Sequence, residues 1–255
     1  MKQSYSFKEI TSSYVPEKKA ADGPWTRFVL RPLSFPFAKI FLSLGLSPNG
    51  VSYISTVLSM AGFFLLAFGG VPLAYLGFFF FFLFGILDCA DGNMARTIRR
   101  RNGIGEGSPY GEWVDAVSGY VAYAAFFLGI GGAEARLPAE TASASAFPRL
   151  LPGGAFWTLT AGAALAGNLL MRLAFQSYRA AVPAGEARSK TGRERKFSES
   201  AGITGFLVPL SAAAYAFGCL RIVIALYAVI YCGGFFFIML KIMKDMKKNT
   251  ERMGP

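Results

Sequence analysis

The amino-acid sequence predicts an all-α integral membrane protein with six transmembrane helices and an N-terminal interfacial amphipathic arm. Three observations support this fold class. The 255-residue chain is 53% hydrophobic with a mean hydropathy of +0.41, which is high for a soluble domain. Its apolar residues form runs of about 20, the length of a helix that crosses a bilayer. The strand-length alternation of outer-membrane barrels is absent from the sequence.

Residues 1–46 are predicted to form a cytoplasmic arm on the membrane surface. Residues 1 to about 24 are polar with mixed charge and lack the apolar core of a signal peptide, so we expect them to be retained. The next segment, PWTRFVLRPLSFPFAKIFLSLGL, mixes aromatic and aliphatic residues with basic ones and contains Pro32 and Pro36. This composition suits an amphipathic interfacial segment better than a membrane span.

Residues 47–243 are predicted to form one transmembrane domain, and residues 244–255 a basic C-terminal tail. The short first loop, FGGVP, makes the first two spans a helical hairpin. The linker between the third and fourth spans is rich in Ala, Ser and Pro, so we expect little regular structure there. The predicted spans are roughly 49–69, 71–87, 110–131, 155–180, 201–218 and 220–240.

The distribution of lysine and arginine predicts the orientation of the chain in the membrane. An even number of spans places both termini on one side, and 23 of the 26 basic residues fall on that side, leaving only Arg136, Arg149 and Arg221 on the other. Basic residues accumulate in cytoplasmic segments. Both termini and the acidic segment after the second span are therefore predicted to face the cytoplasm.

Composition excludes several classes of function. The chain has no histidine, which rules out Ser-His-Asp catalysis, His-ligated zinc and haem with a proximal histidine. Its three cysteines show no C-x-x-C spacing and are predicted to be reduced packing residues. The net charge of +11 lies beside apolar runs, so the predicted partners are anionic membrane lipids and anionic substrates rather than nucleic acid.

Three aspartates, Asp88, Asp91 and Asp115, lie where the second span ends and the third begins. Asp88 and Asp91 are i, i+3 neighbours on a helix, so a hairpin could bring all three carboxylates into one small volume. Like charges placed there would repel each other unless a divalent cation bound them, and oxygen ligands favour Mg²⁺, Mn²⁺ or Ca²⁺. The alternative is that they lie partly in water and pair with the arginines of residues 96–101.

Glycines and an arginine accompany these aspartates at fixed spacing: Asp88-x-x-Asp91-Gly92-x-x-Ala95-Arg96, then Gly111-x-x-x-Asp115. This order resembles the signature of the CDP-alcohol phosphotransferase family, also called the CDP-alcohol phosphatidyltransferases. The resemblance implies metal-dependent transfer of a phosphatidyl group from a CDP-alcohol such as CDP-diacylglycerol to a small polar or phosphorylated alcohol, with release of CMP, in phospholipid synthesis. It also implies two Mg²⁺ or Mn²⁺ ions and a homodimer.

The resemblance assigns roles to individual residues. Asp88, Asp91 and Asp115 would be the metal ligands. Gly92, Ala95 and Arg96 would line the cytidine side of the CDP-alcohol, with Asp88 and Gly111 beside it. For Gly111 alone, a helix-packing position is the favoured explanation.

One position departs from the family pattern. Four residues after the third aspartate, where the family carries a fourth aspartate that is both a ligand and the proposed general base, this chain has Gly119. Glu112, one turn before Asp115, is the nearest predicted substitute and Glu106 is the next; water or a substrate phosphate would also serve. A divergent homologue that binds CDP-lipid and metal without efficient turnover is therefore the alternative function.

The fourth loop is predicted to supply an anion site for the acceptor. Arg193 and Arg195 resemble a clamp for an acceptor phosphate, although positive-inside topology alone would explain this basic cluster. Arg172 and Arg179 lie on the last turns of the fourth span, where snorkelling is the alternative explanation.

A cation transporter would need acidic residues in the middle of several spans, and spans four to six lack them.

Overall fold

The computed structural model describes residues 5–105, 107–136, 153–182 and 191–253, and every regular element in these ranges is a helix. The predicted all-α class is thereby confirmed for this part of the chain. Most of the predicted irregular linker, residues 137–152, and part of the fourth loop, residues 183–190, lie outside the described residues.

Three short helices build the N-terminal arm: α1 (Phe7–Ser12), α2 (Pro16–Ala21) and α3 (Arg31–Leu44), with a π-helical turn before α3. A capping box begins α1, because the Ser6 hydroxyl accepts from Glu9 N at 3.1 Å and the Glu9 carboxylate accepts from Ser6 N at 2.7 Å. Ala38 and Leu42 of α3 are buried while Ile40 is exposed. The buried face of α3 packs on α5 (Val71–Asn102), and the interfacial position of the arm stays a prediction.

Five helices are long and apolar enough to cross a membrane: α4 (Pro48–Phe68), α5 (Val71–Asn102), α6 (Pro109–Arg136), α7 (Gly154–Ala181) and α10 (Leu220–Met253, apolar span to Lys248). The predicted hairpin of the first two spans is present as α4 and α5. The two helices approach closely at Gly62 and Gly77, because a Cβ on Gly62 would lie 3.2 Å from the Gly77 carbonyl.

The helix that carries the second predicted span is longer than that span. The span is predicted to end at residue 87, and α5 continues without a break to Asn102. No proline interrupts residues 88–102. The helix ends only at Gly103, which adopts a left-handed conformation with φ of 66°. Both Asp88 and Asp91 therefore lie inside a regular helix rather than at its end.

The fifth predicted span, residues 201–218, is broken. It consists of a π-helical turn, Ile203–Leu207, followed by the nine-residue α9 (Val208–Ala216). Gly205 has non-helical backbone angles, and Pro209 in the first turn of α9 favours a new helix start. This segment is not among the five long apolar helices, and the count of six spans stays a prediction.

The main core lies between the long helices and is rich in aromatic rings. Phe81 of α5 and Phe126 of α6 meet edge to face with ring centroids 4.9 Å apart, and both are fully buried. Helix α7 packs on α6 and α10. The remaining helix, α8 (Gly192–Ser200), is short and polar, and it contacts α2 of the arm. α8 and the arm thus lie together at one end of the helix bundle.

Candidate active site

A cavity of about 570 Å³ opens where α5, α6, α7, α8 and α10 converge. Asp88 of α5 lines it from one side, and Asp115, Gly119 and Tyr123 line it from α6. The three α6 residues are four positions apart, so they share one face of that helix. Two of the three motif aspartates therefore face the same space.

Asp91 is placed differently. It is 5% exposed and is not among the residues that line the cavity. The Ser52 hydroxyl of α4 donates a hydrogen bond of 2.6 Å to its Oδ2 atom. Asp91 remains within electrostatic reach of both Asp88 and Asp115. The three carboxylates thus form one acidic region, with Asp91 anchored to α4.

The carboxylates suit a hard divalent cation in their chemistry but are not preassembled around one. Asp88 and Asp115 have no hydrogen bond or ion pair within the described ranges, so their oxygens are available as ligands. In the same ranges, no group of three or more carboxylate, thiol or imidazole side chains has the spacing of a finished metal centre. Side-chain rotation of the two unpaired aspartates would have to complete such a site.

Gly92, Ala95 and Arg96 follow on α5, and none of them lines the cavity. Arg96 donates from Nη2 to Asn93 Oδ1 at 2.7 Å, while its buried Nε has no hydrogen-bond partner in the described structure. A Cβ on Gly92 would lie 3.3 Å from the Arg96 guanidinium, so the glycine leaves that group room. An unsatisfied buried donor beside the aspartates is a polar group available to an anionic ligand.

The model of one protein family, described as CDP-alcohol phosphatidyltransferase, matches residues 46–238 of the chain. The chain belongs to the CDP-alcohol phosphatidyltransferase family. The resemblance seen in the motif is thus confirmed, and the protein is a member of a transferase family. Its members are generally divalent-metal dependent and use a CDP-alcohol and an alcohol acceptor. A search of curated proteins found no match.

Neither of the two predicted substitutes for the missing base is among the described residues that line the cavity of this transferase. Glu112 is exposed in the first turn of α6 and lies over the linker, since a Cβ on Gly107 would come within 2.9 Å of its carboxylate. Glu106 lies outside the described residues. Gly111 is half-buried, and its N–H donates to the Ser108 hydroxyl at 3.0 Å. The catalytic role of Glu112 stays a prediction.

The predicted acceptor clamp is also not among the described lining residues. Arg195 is exposed on α8 and does not line the cavity, and the side chain of Arg193 lies outside the description. Arg172 of α7 does line it. Arg172 Nε donates to Asn168 Oδ1 at 3.0 Å, and its guanidinium lies 4.6 Å from the centre of the Tyr123 ring. These contacts hold a cation at the cavity of the transferase.

Several charged residues that the sequence analysis did not single out as site residues also line the cavity: Lys18, Glu194, Glu199, Lys241 and Asp245. They come from α2, α8 and α10, so they are distant from the motif in the sequence. The sequence feature that comes closest to indicating them is the polar composition of the arm and of the fourth loop. That signal could not show that both segments fold over the same aspartates.

Lys18 is fixed at the cavity by a buried ionic network in the arm. Its Nζ lies 3.0 Å from Asp22 Oδ1, and Arg31 Nε lies 2.7 Å from Asp22 Oδ2. Burial alone would raise the pKa of Asp22, but the hydrogen bonds and charges of Arg31 and Lys18 hold that pKa below its ordinary value. Arg31 also donates to the Cys89 carbonyl at 3.1 Å, which ties the network to α5.

Proposed function

We propose that this transferase moves a phosphatidyl group from a CDP-alcohol, such as CDP-diacylglycerol, to a small polar or phosphorylated alcohol and releases CMP. One observation carries the proposal: the unpaired carboxylates of Asp88 and Asp115 share a cavity with the basic side chains of Lys18, Arg172 and Lys241. Carboxylates suit the cations that accompany a pyrophosphate, and basic side chains suit the phosphates themselves.

Asp88, Asp91 and Asp115 would hold two Mg²⁺ or Mn²⁺ ions in this proposal. Bound there, the ions would neutralise charge on the pyrophosphate and on the leaving CMP. Asp91 would act from its fixed position, since Ser52 holds its carboxylate at 2.6 Å. The unpartnered Nε of Arg96 would donate a hydrogen bond to the CDP-alcohol beside Gly92 and Ala95. Gly111 would flank the same side of the CDP-alcohol.

A lipid donor fits the composition of the cavity. Apolar side chains of α7 and α10, among them Met171, Phe175 and Ile238, line it together with the charged groups. A polar headgroup could therefore reach the aspartates while its chains stay against apolar surface. Arg172 would bind the phosphate or hydroxyls of the acceptor, with Arg193 and Arg195 as the predicted outer clamp.

The topology proposed for this site is six spans with both termini and the cavity in the cytoplasm. The fifth span would be the broken segment Ile203–Leu207 with α9, and the amphipathic arm would lie on the membrane surface near anionic lipids. The domain limits would be residues 1–46, 47–243 and 244–255, the last continuing α10 to Met253. Two such chains would associate as a homodimer.

The test is release of CMP by the purified protein in nanodiscs. The donor is CDP-diacylglycerol with Mg²⁺ or Mn²⁺, and the acceptors are inositol, inositol phosphate, glycerol phosphate and serine. We expect release that depends on one of these acceptors and is lost in an Asp91→Asn variant. If the folded protein released no CMP with any of these acceptors or with other CDP-alcohols, the activity would be rejected.

A second candidate function is binding of CDP-lipid and metal without efficient turnover. Gly119 favours it, because a Cβ there would meet no atom within 4 Å and the space for the family's fourth aspartate is open. A Gly119→Asp variant separates the two functions. A large gain of CMP release over a nearly inactive parent would support the binding function, whereas robust release by the parent would reject it.

A further inference from the structure

We propose that Glu199 of α8 accepts the proton of the acceptor hydroxyl, the task that the family's fourth aspartate would otherwise perform. The inference rests on the proposed function, which it completes by supplying the base that Gly119 cannot provide. It assigns a catalytic role to a residue that lies 80 positions from Gly119 in the sequence.

The first observation is the open space at Gly119. Gly119 lies one turn after Asp115 on the face of α6 that lines the cavity. A Cβ built there would meet nothing within 4 Å, so no other side chain has moved into the position of the missing carboxylate. A side-chain base would therefore come from another element.

The second observation is the state of Glu199. It lines the same cavity, it is half-buried, and within the described ranges its carboxylate has no hydrogen bond and no ion pair. Its charge also acts on Asp88, though less than the charges of Asp115, Arg31 and Lys18. A half-buried carboxylate without a partner, facing the motif aspartates, is suited to accept a proton from a bound hydroxyl.

The other carboxylates of the cavity are less suited. Glu194 caps α8, with Thr191 N donating to its Oε2 at 3.0 Å, and its Oε1 pairs with Lys241 Nζ at 2.5 Å. Asp245 lies on α10, one turn beyond Lys241, and is not among the principal charges that act on Asp88. Within the described residues, Glu199 is thus the cavity carboxylate that has no partner and whose charge acts on Asp88.

The backbone around Glu199 is held by the same bundle that carries the cavity. Tyr231 of α10 donates to the Ala201 carbonyl at 2.8 Å, and Ile203 N donates to the Tyr123 hydroxyl at 3.0 Å. The arm packs on the other side, where a Cβ on Gly23 would lie 2.7 Å from the Ser200 hydroxyl. These contacts fix the end of α8 and therefore the approach of Glu199 to the cavity.

Transfer of the phosphatidyl group exchanges one P–O bond for another. The acceptor oxygen forms a bond to the phosphorus that carries the lipid alcohol, and the bond from that phosphorus to the oxygen it shares with CMP breaks. The electron pair of the broken bond leaves with CMP. The hydroxyl proton passes to the Glu199 carboxylate and then to water, so the net products are the phosphodiester, CMP and a proton.

The test compares Glu199→Gln with the parent and with Glu17→Gln, which removes an exposed carboxylate of α2 that does not line the cavity. We expect Glu199→Gln to lower kcat about 10²- to 10⁴-fold, with the KM for CDP-diacylglycerol nearly unchanged. Glu17→Gln should leave kcat within about threefold of the parent, because its side chain faces solvent away from the cavity. Binding of Mn²⁺, followed by electron paramagnetic resonance without substrate, should be equal in all three proteins.

A rescue experiment distinguishes a base from a structural residue. Adding Gly119→Asp to the Glu199→Gln protein should restore at least a tenth of parental kcat, because it places a carboxylate in the open space. Three results would overturn the assignment: near-parental kcat in Glu199→Gln, weakened Mn²⁺ binding that marks Glu199 as a ligand, or failure of the rescue. If the parent itself releases no CMP, the proposed function fails first and the assignment falls with it.

Discussion

The cavity has two walls that differ in charge and in construction. The acidic wall, from α5 and α6, presents Asp88 and Asp115 and no basic side chain. The mixed wall, from α7, α8 and α10, presents Arg172, Glu199 and Lys241. We propose that the acidic wall binds metal and the leaving group, while the mixed wall binds and deprotonates the acceptor. The candidate metal ligands and the candidate acceptor-binding groups thus lie on separate helices.

The acidic wall is also joined to α4. Thr56 of α4 and Ser118 of α6 are joined by a hydrogen bond of 2.7 Å, and Ser52 holds Asp91. Gly62 and Gly77 let α4 and α5 pack in close contact. On the mixed wall, the short helix α8 is held by the ion pair between Glu194 and Lys241. Just beyond its end, Tyr231 donates to the Ala201 carbonyl and Tyr123 accepts from Ile203 N.

The largest expected effect is on the acidic wall. Asp115→Asn should lower kcat about 10³-fold, because it removes a charged ligand that stabilises the leaving phosphate. Turnover is measured as CMP release at saturating Mg²⁺, and circular dichroism checks that the helices remain. Activity within tenfold of the parent would show that the acidic wall does not bind the metal.

The next effect should appear on the mixed wall and should spare the donor. Arg172→Gln removes a cation that Asn168 and Tyr123 hold at the cavity. We expect the KM for the acceptor to rise about 10- to 100-fold while the KM for CDP-diacylglycerol stays constant. A rise in the KM for CDP-diacylglycerol instead would contradict the proposal that the mixed wall binds the acceptor alone. Arg195→Gln, an exposed position on α8, tests the predicted outer clamp in parallel.

A smaller effect is expected behind the acidic wall. Ser52→Ala removes the hydrogen bond to Asp91, and loss of such a supporting contact should weaken Mn²⁺ binding about 10-fold. Ser59→Ala is the matched control, since Ser59 is another buried serine of α4 whose hydroxyl bonds only the Thr56 carbonyl in its own helix. Equal Mn²⁺ affinity in the two variants would mean that Asp91 needs no anchor.

The last expected effect is on stability and concerns the arm. The pKa of Asp22 is lowered from its ordinary 3.8, so its carboxylate stabilises the fold when ionised and this contribution is lost as the pH falls through the lowered pKa. Asp22→Asn leaves Arg31 buried without its anion and should cost about 3 kcal/mol at neutral pH.

Thermal unfolding at several pH values checks this prediction. The difference in Tm between the parent and Asp22→Asn should be constant above pH about 5 and should shrink below pH about 4. Glu17→Gln, an exposed carboxylate of α2, serves as the control and should unfold like the parent. A difference that persists unchanged into acid would show that the ionised Asp22 does not stabilise the arm.

The sequence predicted the acidic wall far better than the mixed wall. Asp88 and Asp115 come together because they lie on two helices joined by a short linker, and local spacing carries that information. Lys18 and Glu199 reach the cavity through tertiary packing of the arm on α5 and of α8 on the arm, which no periodicity encodes. The break at Gly205 was missed for a similar reason, since an apolar run conceals a kink that its neighbours impose.

Formation of labelled lipid reports the transfer reaction itself, and it is measured by incubating the protein in nanodiscs with CDP-diacylglycerol and a carbon-labelled acceptor, with or without Mg²⁺. We expect labelled lipid and CMP to appear in equal amounts with Mg²⁺, and both to vanish with chelator or in the Asp91→Asn variant. CMP formed without labelled lipid, or equal release with chelator present, would contradict metal-dependent transfer at the acidic wall.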